Sequence, residues 1–315
     1  MSAAELGRQA TEASLPKTTI IVVIGGTGHF GGRICRRLAG EPNTELIVTS
    51  RSEANATKFV GELVAGFPDA SIRPAYLDQF SANFADDLRR LSPTIVVHTA
   101  GPYQGQDYRV ARACIEAGSH YIDLADGREF VEGFSSLNEF ALERGLLLVT
   151  GASTLPGLSS AVIDSLRDQF DEIRSIEISI APAHQTPRGI GTISAVLSYC
   201  GKPFQVLTDG SWVRMYGWHD LRLQRYPRLG TRLAGTCDVP DLSLLPEYVE
   251  GARTVTFHAA LEAPWEQLAL WLMGWLTRLR LVMDWSRFAP TFQRVSERLN
   301  RLGSDTGGMD IRLTG

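Results

Sequence analysis

Residues Ile21-Val22-Val23-Ile24 form a short, mostly β-branched apolar run that breaks directly into Gly25-Gly26-Thr27-Gly28-His29-Phe30-Gly31. Such a run reads as a buried parallel strand, and the glycines as a tight turn that opens a helix. In the spacing Gly26-x-Gly28-x-x-Gly31, the first glycine is expected to supply the turn. The second leaves bare backbone against a pyrophosphate, and the third lets helix and strand approach closely. Gly25 adds an overlapping Gly25-x-x-Gly28-x-x-Gly31 spacing. Free N–H groups at the positive end of the helix dipole hold phosphates without a basic side chain. The pattern predicts a dinucleotide site that places Gly25, Gly26, Thr27, Gly28, His29, Phe30 and Gly31 against the cofactor. The competing reading is a glycine-rich turn of structural use only. The strand before it and the helix after it favour the site.

The end of the second strand discriminates between dinucleotides, because a carboxylate there binds a ribose 2′-hydroxyl and a cation accepts a 2′-phosphate. Here the strand Glu45–Thr49 is followed by Ser50 and Arg51. A guanidinium binds phosphate through two parallel hydrogen bonds, and Ser50 can donate a third. NADP(H) is therefore the expected cofactor. NAD(H) is the alternative, with Arg51 solvated and Glu53 reaching the ribose.

At 315 residues, 44% hydrophobic and 21% charged, the chain has room for one large or two medium globular domains. Its net charge of −4 and the absence of any long Lys/Arg run argue against nucleic acid as a partner. Cys35, Cys114, Cys200 and Cys237 are widely spaced with no C-x-x-C pair, so neither a disulfide framework nor a metal site is expected. A reducing cytoplasm suits them. Residues 1–17 lack an apolar core and read as a loose N-terminal arm, not a signal peptide.

Strands and helices then alternate. Helices are expected at Glu53–Gly66, Asn83–Leu91, Tyr108–Ala117 and Phe130–Arg144, and strands at Ser71–Tyr76, Thr94–Thr99, His120–Leu124 and Leu146–Thr150. Asp78, just past the third strand, joins the expected cofactor residues. The alternation implies right-handed βαβ units, hence an α/β Rossmann fold with a doubly wound parallel sheet over residues 18–156. A second, α+β domain with a mixed sheet is expected over 157–315, for substrate and oligomerisation. Its predicted elements are a helix at Gly157–Gln169, a strand at Ile173–Ile180 with one solvated face, a helix at Ile193–Cys200, and strands at Ser211–Tyr216 and Arg253–His258. Met309–Gly315 alternates like the first half of a hairpin whose second strand is missing, so the natural product is expected to continue. Trp265–Met283 is the densest apolar run, but charges at both ends leave it short of a bilayer span. It reads as a buried packing helix or the subunit interface of a homodimer, with membrane-surface contact as the alternative, since tryptophans beside arginines suit an interfacial helix.

With the glycine motif, the Ser50-Arg51 terminus, Ala100-Gly101-Pro102-Tyr103-Gln104-Gly105-Gln106, His120-Tyr121-Ile122-Asp123-Leu124-Ala125-Asp126-Gly127 and Ser153-Thr154-Leu155-Pro156-Gly157-Leu158-Ser159 in hand, the chain resembles the saccharopine dehydrogenase-like NAD(P)-binding oxidoreductases over about residues 18–165. The resemblance implies NAD(P) chemistry on the parallel sheet. It puts Ala100, Gly101, Pro102 and Tyr103 beside the nicotinamide end, with a substrate domain after the sixth strand. It does not identify the substrate.

Hydride transfer needs a group that protonates the reduced oxygen or nitrogen. Polar residues where ligands bind such sheets are His98, Tyr103, Asp123, Asp126 and, from the second domain, His184. His98, late in an apolar strand, reads as structural. Tyr103 reads as packing near the nicotinamide or donating a proton. Asp126 stays open between proton donor and a helix N-cap or ion pair with Arg128. His184 leaves a strand and suits acid–base work, against a surface-loop reading. Ser153, Pro156 and Gly157 precede a helix whose N–H groups could receive a substrate carboxylate, with simple capping as the competing reading. The sequence thus points to an NADP(H)-dependent oxidoreductase acting on a small carbonyl, imine or CH–NH substrate. The alternative is a non-catalytic dinucleotide-binding redox sensor or membrane-associated factor.

Overall fold

The computed structural model describes residues 18–299, 301 and 303–315, so the expected N-terminal arm lies outside them. Val22, Val23 and Ile24 sit in the central strand β1 (Thr19–Ile24), almost wholly buried. Burying each such side chain contributes about 1.5–3 kcal/mol. Around it stand β2 (Thr44–Ser50), β3 (Ser71–Tyr76), β4 (Ile95–His98), β5 (His120–Asp123) and β6 (Leu148–Val149), parallel and in the order β3-β2-β1-β4-β5-β6. The order reverses between β1 and β4, the switch point where open α/β sheets bind ligands beyond the strands' carboxyl ends. Helices α1 (His29–Leu38), α2 (Glu53–Gly66), α3 (Phe84–Arg90) and α4 (Arg109–Ala117) connect the strands. Ile21, Val23, Leu46, Val48 and Val97 pack with Cys35, Val60 and Leu63 from α1 and α2 as one core. Ser52 accepts from the Asn55 N–H and caps α2 at the predicted residue.

One expected element breaks up. Instead of a continuous helix at 130–144 there are α5 (Arg128–Glu132), a 3₁₀ segment (Gly133–Leu137) and α6 (Asn138–Leu142). Gly133 is the reason: a Cβ there would lie 2.5 Å from the Tyr108 hydroxyl, and Ser136 turns back to bond the Gly133 carbonyl. The sixth strand keeps only two of its five expected residues, because Leu146 N–H bonds the Ala141 carbonyl and Leu147 N–H the His120 ring.

Contacts divide the chain into two units. The first holds residues up to Gly101 with 106–125 and 133–152; the second holds 102–105, 126–132 and 153–315. In the second unit a wide turn at Thr154–Leu158 delays α7 to Ser159–Arg167. The remaining elements are β7 (Ser175–Ala181), α8 (Ile190–Ser198), β8 (Pro203–Thr208), β9 (Ser211–Tyr216), β10 (Arg222–Tyr226), β11 (Gly230–Thr236), α9 (Asp241–Tyr248), β12 (Thr254–Ala260), α10 (Pro264–Arg278), α11 (Ala289–Leu299) and β13 (Gly308–Thr314). The sheet runs β10-β11-β12-β7-β13, with β8 on β12 and β9 on β8, and only β7 and β12 pair in parallel. Ile176, Ile178, Val255 and Phe257 turn one face into a core with Ile163, Leu242, Leu245 and Leu270 from the helices.

The C-terminal strand takes the edge of the second sheet. β13 pairs antiparallel with β7 from Gly308↔Ala181 to Thr314↔Ser175, a partner the local pattern could not reveal. The strands β10 and β11 were not anticipated either, since Arg222-Leu223-Gln224-Arg225-Tyr226 carries polar residues on both faces. Helix α10 takes up most of the dense apolar run and buries Gln267, Leu270, Met273 and Gly274. Among the described residues no helix is long and apolar enough to cross a membrane.

Candidate functional site

The glycine turn at the carboxyl end of β1 is shaped by contacts that exclude side chains. Gly25 has φ +77°, and a Cβ on it would lie 3.0 Å from Thr99 Oγ1. The left-handed residue of the turn is therefore Gly25, not Gly26 as the motif predicts. Gly26 is required for packing instead: its N–H donates to the Thr49 carbonyl at 3.0 Å, and a Cβ would stand 2.8 Å from Val48 Cγ1. At Gly31 a Cβ would fall 2.2 Å from the Gly25 carbonyl oxygen and 2.6 Å from Thr99 Oγ1. Gly28 differs. Its backbone is extended (φ −77°) and a Cβ would meet only the Gly25 oxygen, at 3.1 Å, so its outer side is open. Gly28 also precedes α1 without a side-chain cap, which leaves the first helical N–H groups available to an anion.

Two substitutions separate these roles. Gly31→Ala should destabilise the first unit by about 3 kcal/mol, the upper end of overpacking costs, because a backbone carbonyl cannot yield as a side chain can. Gly28→Val should keep the parent melting temperature within about 2 °C and lose NADPH binding. Thermal unfolding followed by titration calorimetry checks both.

At the end of β2, Ser50 Oγ accepts from the Ser52 N–H at 3.2 Å, and Arg51 is exposed. Among the described residues no carboxylate pairs with Arg51. Glu53 is exposed in the first turn of α2. Asp78 is half-buried, and its Oδ1 accepts from the Phe80 N–H at 3.0 Å. The Ala100 carbonyl is held by Gln106 Nε2 at 3.0 Å.

Beneath the loop, His98 is buried with Nδ1 2.9 Å from the Tyr121 hydroxyl and Nε2 2.8 Å from Gln79 Oε1. Burial pushes its pKa down to about 3, so the ring is neutral and structural. The Tyr121 hydroxyl continues the chain to Asp123 Oδ2 at 2.9 Å, while Asp123 Oδ1 accepts from Ala125 N–H, Gly151 N–H and Thr150 Oγ1. Asp123 ties three segments together.

In the second unit, Tyr103 is buried against Phe130 with ring centroids 5.4 Å apart. Asp126 accepts from Gln104 Nε2 at 3.3 Å, and a Cβ on Gly127 would lie 3.3 Å from the Tyr103–Gln104 backbone. The alternative of an ion pair with Arg128 is not realised. Arg128 reaches Glu132 at 3.0 Å, Asp238 at 3.2 Å, Ser243 Oγ and the Gln205 carbonyl. Asp126 is an exposed residue, yet protein crowds its carboxyl and strips part of its hydration. That burial raises its pKa more than the Gln104 bond lowers it. Tyr199, which no pattern in the sequence singled out, feels the charges of Asp126 and Asp238; burial first, then Cys237, holds its hydroxyl well above its usual range.

His184 is buried rather than on a surface loop. Its Nε2 lies 3.1 Å from the Leu299 carbonyl, its Nδ1 3.4 Å from Glu266, and its backbone N–H donates to Glu262. Only Nε2 makes a hydrogen bond, since Glu266 Oε2 beside Nδ1 has no hydrogen-bond partner. Ser153 Oγ donates to the Leu155 carbonyl at 2.6 Å and does not cap the turn that follows. Pro156 is buried and Gly157 exposed. All four cysteines are free and buried, and among the described residues no group of His, Cys, Asp or Glu is placed to hold a metal.

Residues 21–168, just under half of the chain, match the family described as saccharopine dehydrogenase NADP binding domain. This stretch belongs to that family. Over 167 residues the chain is 26% identical to a carboxyaminopropylagmatine dehydrogenase of Synechocystis sp., covering 50% of this chain and 40% of that protein. Over 105 residues it is 35% identical to an N-acetyl-gamma-glutamyl-phosphate reductase of Pseudomonas paraeruginosa, covering 33% of this chain and 27% of that one. The apo saccharopine dehydrogenase (L-Glu forming) from Saccharomyces cerevisiae shares the fold, with a TM-score of 0.56 and 14% identity over 77% of this chain and 54% of that one. The chain spans about half or less of the length of these proteins. Within this stretch, the bare Gly28 backbone, the uncapped start of α1 and the adjacent carboxyl end of β4 fit a nicotinamide dinucleotide.

Proposed function

We propose that this protein is an NADP(H)-dependent oxidoreductase that transfers hydride to or from a small carbonyl, imine or CH–NH carbon, with Asp126 as the proton donor. The observation that carries the reading is the glycine cradle at the switch point of the sheet. When bound, the dinucleotide supplies the hydride. Gly28 and the first N–H groups of α1 receive the pyrophosphate, and Arg51 with Ser50 receives the 2′-phosphate. Ala100, Gly101, Pro102 and Tyr103 follow β4 and border the nicotinamide. Asp126 follows β5, and its raised pKa keeps a proton available at higher pH than an ordinary carboxyl would. Gln104 suits either protonation state, since its Nε2 donates to a carboxylate and its Oε1, with the amide turned over, accepts from the acid. The related dehydrogenases and reductases support hydride chemistry of this class.

NADPH should bind at least roughly tenfold more tightly than NADH, about 1.4 kcal/mol from the 2′-phosphate contacts. Arg51→Asp should reverse the order. Calorimetry with both cofactors checks this, and equal parent affinities would remove the assignment. NADPH consumption across keto acids, imines and enoyl compounds tests the reaction; tight binding with no turnover on any of them would favour a redox sensor.

A further inference from the structure

Helix α10 is apolar around more of its circumference than the fold uses. At 3.6 residues per turn, the side opposite buried Leu270 and Gly274 runs through Trp265, Leu268, Ala269, Leu272, Leu276 and Leu279 without a polar residue. Trp265, Leu268, Leu272 and Leu279, with Leu281 and Met283 just beyond the helix, are each between 48% and 68% exposed. A contiguous patch of this size and chemistry marks an interaction surface.

The charges around it are one-sided. From Pro264 to Arg301 six arginines stand against three acids, Glu266, Asp284 and Glu297, in a chain whose net charge is −4. Arg278 lies over the Trp275 ring at 4.4 Å and the Tyr216 ring at 4.0 Å. Arg280 and Arg287 are exposed; among the described residues no carboxylate pairs with Arg280, while Arg287 Nε donates to the Asp284 carbonyl at 3.2 Å and its charge is felt by the Asp284 carboxylate. Asp284 is engaged by the Ser286 N–H at 2.9 Å.

An apolar helical face bordered by exposed arginines and tryptophan complements the headgroup boundary of an anionic bilayer. Acyl chains take the leucines, lipid phosphates take the guanidiniums, and an indole sits at the interface. A second copy of this chain would cover the apolar face but bring the same excess of arginine to it. Fifteen residues are too few to cross a bilayer, which needs about twenty. We propose that α10 and the segment through Met283 dock this protein in the plane of an anionic phospholipid surface. The proposal is independent of the catalytic reading.

The test is co-sedimentation of the full chain with phosphatidylcholine vesicles, with and without phosphatidylserine. Two paired variants accompany it, Leu272→Glu with Leu279→Glu and Arg280→Glu with Arg287→Glu, both checked for parent circular dichroism. Because all four positions are exposed, the fold should persist. The parent should partition onto the serine-containing vesicles, less so as salt rises. Each pair should weaken partition at least about tenfold. No binding of the parent at low salt overturns the proposal, as does equal binding by parent and leucine pair. Sedimentation equilibrium showing a dimer that the leucine pair dissociates, with no vesicle binding, would assign the face to a second copy instead.

Discussion

Asp126→Asn should lower turnover by about 100- to 10,000-fold while NADPH affinity stays within about twofold. Asparagine keeps the volume, and its Oδ1 still accepts from Gln104 Nε2, so the local geometry survives. What it lacks is the proton. A general acid acts in the transition state, so its loss appears in kcat and not in cofactor binding. The pH profile adds a second readout. In the reductive direction the acid form is the active one, so kcat/KM should fall as pH rises through the raised pKa of Asp126. That limb should vanish in Asp126→Asn. Gln104→Ala removes the bond that lowers the Asp126 pKa and should move the limb to higher pH. Parent turnover in Asp126→Asn would reassign the proton donor.

The sequence carried the parallel sheet because its signals are local. A β-branched run buries itself whatever its neighbours do, and α2, β3 and β9 occupy the ranges that periodicity predicts. The features that escaped depend on distant partners. Whether Gly25 or Gly26 takes the left-handed turn is decided by Thr99, 74 residues from Gly25. Arg128 is drawn from its neighbour Asp126 by Gln205, Asp238 and Ser243, 77 to 115 residues away. His184 is buried by the Leu299 carbonyl, 115 residues on. In each case the outcome rests on a partner far along the chain that no local reading supplies.

Asp241→Asn should raise the stability of the second unit at pH 8 by about 3 kcal/mol. Asp241 is fully buried at the start of α9, in contact with Ser159 Oγ, and its Oδ2 has no hydrogen-bond partner. Ser159 has one hydroxyl proton and also faces the Pro156 carbonyl at 3.0 Å. A protonated Asp241 can donate to Ser159 while Ser159 donates to Pro156, which leaves only a neutral Oδ2 without a partner; an ionised Asp241 leaves a charged oxygen there. Burial accordingly raises the Asp241 pKa from 3.8 to about 6. Between those values the folded state holds a proton that the unfolded chain releases. The contribution is therefore complete below pH 3.8 and lost as pH rises through about 6, at about 1.4 kcal/mol per unit. Buried His258, pushed down to about 3, works in the opposite sense over an overlapping window. The difference between parent and Asp241→Asn curves isolates the carboxyl, since asparagine keeps the volume and the Ser159 contact without a charge. All six tryptophans, from Trp212 to Trp285, lie in the second unit, so intrinsic fluorescence in urea reports its unfolding alone. Parallel parent and variant curves from pH 4 to 8 would show that Asp241 does not titrate in the folded protein.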